Sequence, residues 1–272
     1  MKKLNANYPA LAPHVEEMTE ISAYLWEKGW AERNAGNLSI DVTELLAAGA
    51  PPADGAWRAL DNRYSLLAGR CFLVTGTGRR FRDLARNPAG AACLLRLDDR
   101  GAGFRVLWGG ADDPQFRPTS EFPAHLRVHE FLRETGAREK AVLHTHPTEL
   151  VALTHLPEYG DEAKLNRALF AVHPEIRVCV ARGVGYVPYT VPGSEALAQA
   201  TVAALRRGHG VALWEMHGCV AVGKDAVEAF DAIDTLNKGA QLILLCRAAG
   251  REPRGLSDAQ LQELAAAFGL PD

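Results

Sequence analysis

Cysteine is scarce in this sequence. The five present, Cys71, Cys93, Cys179, Cys219 and Cys246, are odd in number, and no two form a Cys-x-x-Cys pair. That excludes a disulfide scaffold and a closed, cysteine-rich metal site. Three of them sit in apolar, strand-like runs, where a free thiol behaves as a small hydrophobe. Such usage suits a reducing cytosol. No apolar run approaches the roughly 20 residues needed to span a bilayer. The opening Met-Lys-Lys leads into no apolar stretch of signal length. The expected setting is therefore cytoplasmic, with no membrane partner. Positive charge is not concentrated either. Lys and Arg total 30 against 33 Asp and Glu, with no long basic run, so nothing favours nucleic acid as a partner. Internal repeats and low-complexity segments are also missing. What is present is an ordinary apolar content over 272 residues, enough for a sizeable core.

Helical and strand-like patterns interleave along the chain. Val15, Met18, Ile21, Tyr24 and Leu25 predict a helix over 14–28, and Leu38-Ser39-Ile40 a strand. Residues 44–70, with Pro51-Pro52 and several glycines, read as a surface excursion. Cys71-Phe72-Leu73-Val74 is a buried strand, followed by a short helix near 80–86. Ala92 to Leu97 and Phe104 to Trp108 predict a hairpin turned through Asp98-Asp99-Arg100-Gly101. Leu126, Val128, Phe131 and Leu132 mark a helix that Thr119 or Ser120 would cap, with Glu121 in its first turn. His125 and His129 stand at i, i+4 on this helix and read as surface or interface residues. Helices follow near 148–155 and 161–170, then a loop at 172–175 and a buried strand from Ile176 to Ala181. Arg182-Gly183-Val184-Gly185 turns the chain, and a helix from about Pro192 runs to about Arg207. Val211 to Gly218 reads as a strand ending in histidine, with Cys219 to Val222 continuing apolar. Two last helices are predicted over 225–249 and 257–268. The interleaving predicts an α/β fold, one domain over 1–272, with a sheet between helical layers.

The chemistry gathers at Ala141-Val142-Leu143-His144-Thr145-His146-Pro147. Side chains at i and i+2 leave a strand on the same face, so His144 and His146 point the same way. Pro147 then ends the pairing. Neutral imidazole is the commonest protein ligand for zinc. Histidines at this spacing also occur in chains that bind no metal, and a third in a similar setting, His217 beside Gly218, strengthens the case. Three protein ligands would leave one position open, as a catalytic zinc requires. An open zinc activates water or polarises a carbonyl. Two small-residue loops favour the carbonyl, because they could anchor a phosphorylated substrate. One is Asn34-Ala35-Gly36-Asn37, which taken alone reads as a plain helix-to-strand turn. The other is Thr75-Gly76-Thr77-Gly78-Arg79-Arg80, between a strand and a short helix. Its glycine spacing matches neither the P-loop nor the dinucleotide fingerprint. Glu121 and Glu175 lie near sheet ends and could move protons.

Taken together, Gly29-Trp30-Ala31-Glu32-Arg33-Asn34-Ala35-Gly36-Asn37-Leu38, Val74-Thr75-Gly76-Thr77-Gly78, Pro118-Thr119-Ser120-Glu121, His144-Thr145-His146 and Trp214-Glu215-Met216-His217-Gly218 resemble the class II aldolase/adducin superfamily. The resemblance covers nearly the whole chain, in order. It implies a three-layer αβα fold with a mixed central sheet, a homotetramer of four-fold symmetry and active sites near subunit interfaces. It matches His144, His146 and His217 to zinc ligands, one ion per subunit, and Glu121 to the acid/base beside the metal. Glu175 matches a second carboxylate that assists proton transfer at the aldehyde end. The phosphate of a dihydroxyacetone phosphate moiety would lie against Asn34, Gly36, Asn37, Thr77, Gly78, Thr119 and Ser120. The implied reaction is reversible cleavage of L-rhamnulose 1-phosphate to dihydroxyacetone phosphate and L-lactaldehyde. Ala35 stands where the family pattern has glycine, and Thr77-Gly78-Arg79 where it has serine, glycine and lysine.

Other members act on fuculose phosphate, epimerise a pentulose phosphate or dehydrate a thioribulose phosphate, and the histidines do not separate them. The 44–70 insertion and the Glu175 loop favour the rhamnulose chemistry, because the close relatives tend to be shorter. A metal-free scaffold like adducin is opposed by the intact histidines and Glu121. A zinc hydrolase would show no dependence on substrate phosphate.

Overall fold

Along Asn37–Asp41 and Ala141–Thr145, alternate residues face opposite ways, and both faces of both strands are buried. Strands covered on both sides belong in the middle of a sheet with helices above and below. The computed structural model describes residues 7–46, 56–110, 113 and 115–270. Within them lies one nine-stranded sheet. In chain order its strands are β1 (Asn37–Asp41), β2 (Arg58–Ala59), β3 (Cys71–Thr75), β4 (Ala92–Leu97), β5 (Gly103–Gly109), β6 (Ala141–Thr145), β7 (Val184–Val187), β8 (Val211–Trp214) and β9 (Gly218–Gly223). They lie side by side as β2-β5-β4-β3-β1-β6-β9-β8-β7. Every pair is antiparallel except β7 with β8, so the sheet is mixed.

The two faces carry separate cores. Leu38, Ile40, Ala141 and Leu143 pack with Val15, Met18 and Ile21 of helix Ala12–Glu27 and with Ile233 and Leu236 of helix Ala226–Ala248. On the other face, Val142 packs with Val128 and Leu132 of helix Phe122–Thr135 and with Leu197 and Leu205 of helix Glu195–Arg206. Each such buried Leu or Ile stabilises the fold by roughly 1.5–3 kcal/mol. The result is the expected three-layer arrangement, a mixed sheet between helices.

Several local expectations are corrected. Ile176 to Ala181 is not a strand: Pro174–Cys179 is a short helix, and the edge strand is Val184–Val187. Proline at the first helical position has its φ preset and needs no N–H partner, so Pro174 starts a helix. Val184 and Gly185 consequently belong to β7, and the turn lies at Gly183, φ 65°. Val211 to Val222 does not run on as one strand. It folds back as β8 and β9 through Glu215-Met216-His217. The 44–70 stretch is a surface excursion only in part, and residues 47–55 lie outside the described ones. Tyr64 and Leu67 are fully buried beside Phe72 and Phe122.

Candidate metal centre and active site

The sheet register brings the chemistry together. Asn37 of β1 sits opposite His144 of β6, and Thr145 opposite Cys219 of β9. His146 lies just past the end of β6. His217 comes from the β8–β9 turn, where Met216 holds φ 57°. A left-handed backbone costs a residue with a side chain about 1–2 kcal/mol. The Met216 N–H donates to the buried Thr154 hydroxyl at 2.8 Å, which helps fix that turn. At its other end Gly218 admits no side chain, since a Cβ there would stand 2.6 Å from the Thr145 carbonyl oxygen and 2.7 Å from the His146 ring. The ligand atoms of His144, His146 and His217 lie within 4.8 Å of one another.

Their protons can be assigned. The His144 Nδ1–H donates to the Cys219 carbonyl at 2.9 Å, and the His146 Nδ1–H to the Glu32 carboxylate at 2.8 Å. Both acceptors lack hydrogens, so each ring turns an Nε2 lone pair inward, and the two Nε2 atoms stand 3.3 Å apart. Facing lone pairs repel unless a cation lies between them. Two imidazoles bound at about 2.0–2.1 Å to one tetrahedral ion would stand about 3.3 Å apart. The third ring, His217, has a buried Nδ1 with no hydrogen-bond partner. Burial, reinforced by His146 and His217, holds His144 well below the usual histidine range. Burial and then His146 lower His217 as well. Neutral imidazole is the ligand form, so this donor set fits a metal ion. Trp214 backs two of the rings, 4.6 Å from His144 and 5.0 Å from His217 between centroids, and its indole N–H donates to the Thr201 hydroxyl at 2.9 Å.

Glu121 stands just before the helix and not in its first turn. It occupies the N-cap position of helix Phe122–Thr135 but makes no side-chain cap, and neither Thr119 nor Ser120 caps the helix. The Thr119 hydroxyl accepts instead from the Glu121 N–H at 3.3 Å. The carboxylate is thereby free to turn to the metal centre. Its Oε2 accepts from Asn37 Nδ2 at 2.7 Å and lies 3.7 Å from His144 Nε2.

The small-residue loops are joined by backbone hydrogen bonds. The Thr119 N–H donates to the Thr75 carbonyl at 2.8 Å, and the Thr77 N–H to the Arg117 carbonyl at 3.0 Å. The Leu38 N–H donates to the Thr75 hydroxyl at 3.1 Å. Gly36, at φ 80°, packs so closely that a Cβ would meet the Phe81 ring at 2.8 Å. As a result Asn34, Gly36, Asn37, Thr77, Gly78, Thr119, Ser120, Glu121, His144, His146 and His217 line one cleft of about 170 Å³. Glu175 is not in it. It sits in the first turn of helix Pro174–Cys179, 63% exposed, with its carboxylate 3.0 Å from His173 Nδ1.

His125 and His129 are neither surface residues nor part of the three-histidine group. They are buried behind Asn37 and hydrogen-bonded to the Ser39 hydroxyl at 2.7 and 2.8 Å. The helical stripe Phe122, Leu126, Leu132 carried the signal for their burial. Sequence reasoning also missed Glu32 and Trp214 as supports of the histidines.

The sequence matches the model of the family described as Class II Aldolase and Adducin N-terminal domain over residues 16–244. The chain belongs to this family. As a class II aldolase it is metal-dependent, and His144, His146 and His217 are the cluster that could hold the ion. A rhamnulose-1-phosphate aldolase of Bacteroides thetaiotaomicron is 38% identical over 273 aligned residues, covering all of both chains. One of Shigella sonnei is 34% identical, covering 94% of this chain and 93% of its own. Among solved structures, a sugar-phosphate aldolase from Thermotoga maritima superposes with a TM-score of 0.76 at 31% identity, over 89% of this chain and 98% of that one. Among the described residues of this aldolase, no helix is long and apolar enough to cross a membrane.

Proposed function

We propose that this aldolase reversibly cleaves L-rhamnulose 1-phosphate to dihydroxyacetone phosphate and L-lactaldehyde, with zinc in the three-histidine site. The observation that carries this reading is end-to-end similarity to a rhamnulose-1-phosphate aldolase, at 38% identity. In the cleavage direction the C3–C4 bond breaks, the C4 hydroxyl loses a proton and C3 gains one. A divalent ion, when bound, supplies Lewis-acid polarisation of the ketone. Glu121, held 3.7 Å from His144 Nε2, carries the proton to and from C3. The phosphate is assigned to Asn34, Gly36, Asn37, Thr77, Gly78, Thr119 and Ser120. No lysine or arginine stands among the described residues lining this cleft, so N–H and O–H groups would hold the anion.

Glu175 is assigned to the proton at the aldehyde end. Within one chain it does not line the cleft, so the role is assigned to Glu175 of a neighbouring subunit in a homotetramer. Residues 1–272 are taken to work as one domain. Free thiols at Cys71, Cys93 and Cys219, all buried, support a cytoplasmic setting. The test uses zinc-loaded protein with L-rhamnulose 1-phosphate and, in parallel, L-fuculose 1-phosphate. Dihydroxyacetone phosphate release is followed by a coupled NADH assay, with and without chelator. Fast, chelator-sensitive release from the rhamnulose ester alone is expected. Release from neither ester by zinc-loaded protein would overturn the reading and favour epimerase or dehydratase chemistry.

A further inference from the structure

Behind Glu121 runs a chain of buried side chains that touches neither the proposed metal site nor the cleft except through Asn37. His125 and His129 are 2% and 3% exposed. Each hydrogen in the chain can be assigned from its carboxylate end. The Glu121 carboxylate only accepts, so Asn37 turns its NH₂ toward it, at 2.7 Å, and its Oδ1 inward. That oxygen also only accepts, so His125 donates to it from Nε2. Burial, then the neighbouring His129, pushes His125 down to about 3, so the ring is neutral and its Nδ1 is an acceptor. The Ser39 hydroxyl donates to that Nδ1 at 2.7 Å and accepts from His129 Nε2 at 2.8 Å. No donor faces a donor anywhere along it. The middle link is an amide, which does not relay protons, so the chain orients groups and does not conduct.

We propose that His125 is a positioning residue: its Nε2–H fixes the Asn37 amide, and the amide holds the Glu121 carboxylate beside His144. Without that donor the amide can flip, and its carbonyl oxygen would then face the carboxylate and repel it. Asn37 thus has a duty besides the phosphate contact assigned to it. The importance given to Glu121 rests on the proposed function.

The test compares His125→Leu, which removes both hydrogen bonds, with His125→Gln, which can still donate to Asn37 and accept from Ser39. With L-rhamnulose 1-phosphate, H125L is expected to keep full zinc content and lose about 10²-fold in kcat, the scale of a misplaced catalytic group. KM should change much less, and H125Q should recover most of kcat. In a double-mutant cycle, N37A/H125L should fall within about threefold of N37A alone, because both act through one link. Wild-type kcat in H125L, or losses that multiply, would overturn the proposal. Should H125L fail to fold, Ser39→Ala, which removes only the hydroxyl that orients the ring, should lower kcat about tenfold at unchanged zinc. An unchanged kcat there also overturns it. Crystal structures of the same variants give a readout without turnover. Glu121 should leave hydrogen-bonding distance of Asn37 in H125L, and an unmoved pair counts against the proposal. If the wild type cleaves neither ester, the functional reading falls while this geometry still decides the positioning role.

Discussion

Two groups of histidines stand on either side of Asn37, one at strand ends and one on a helix, and they behave as opposites. In the strand-end group, His144 and His146 spend their Nδ1 hydrogens on outer acceptors and turn Nε2 lone pairs toward each other. In the helix group, His125 Nδ1 meets a hydroxyl, its Nε2 meets an amide oxygen, and His129 Nε2 meets the same hydroxyl. His144, His125 and His129 are all buried, so neither burial nor residue type alone separates the two groups. The partner on the far side of each ring does. An outer acceptor leaves an inward lone pair free to bind a cation, whereas an inner hydroxyl already occupies the ring nitrogen that would bind one.

The sharpest way to break this contrast is to remove one ring from each group. His146→Ala should lose both metal and turnover, yet stay folded, because His146 lies at the rim of the core. His129→Ala should keep metal at full stoichiometry and lose about 1–3 kcal/mol of stability, since the buried Ser39 hydroxyl oxygen would lose the Nε2–H that donates to it. Metal analysis with thermal melting reads both, and the contrast fails if the two results are exchanged. Next in size is Glu121→Gln. It should retain the metal and lose on the order of 10²-fold or more in turnover, the usual scale for a general acid/base. Near-wild-type turnover would reduce Glu121 to a neighbour of the metal site. A smaller effect is expected from Glu32→Gln, which weakens the acceptor behind His146. Metal affinity should fall about tenfold, the low end for such outer partners, because Glu32 is 64% exposed. Chelator competition measures it, and unchanged affinity would mean that the Nδ1 partner does not set the His146 tautomer.

Much of the strand-end group was legible in the sequence because it obeys a local period. His144 and His146 share a face by the two-residue repeat of a strand, and His217 is marked by the Gly218 that admits its turn. The central strands were legible for the same reason. The failures also have physical causes. A six-residue, largely apolar stretch such as Ile176 to Ala181, with Arg177 inside it, carries no period that separates helix from strand, and the arbiter was the backbone restraint of Pro174. His125 and His129 fall on the apolar stripe of their own helix, but residue type suggested the surface. Glu32 meets His146 across 114 residues, and no local pattern encodes such a contact. Glu175 does not line the cleft of the single chain, and no local pattern in the sequence signals where an exposed first-turn carboxylate will sit.

The smallest effect sharpens the contrast from the side of the helix group. Burial pushes His129 down to about 4, partly offset by the Asp41 carboxylate, and His125 down to about 3. A histidine in the unfolded chain titrates near about 6.5. Below that pH the unfolded state binds protons that the folded state refuses, so stability falls as pH drops from about 6.5 toward about 4, and has no slope from this pair above about 7. Each buried ring contributes at most about 1.4 kcal/mol per pH unit in that window. His144 is lowered in the same direction, so the metal-free protein combines both groups. Removing one ring isolates its share. Metal-free H129A should therefore show a shallower loss of stability between pH 7 and 5 than the metal-free wild type, by roughly 2 kcal/mol, when urea midpoints are compared. Parallel pH profiles would mean that His129 accepts a proton in the folded state. A charged His129 could still donate to Ser39, but it would no longer be the neutral ring that separates this group from the metal centre.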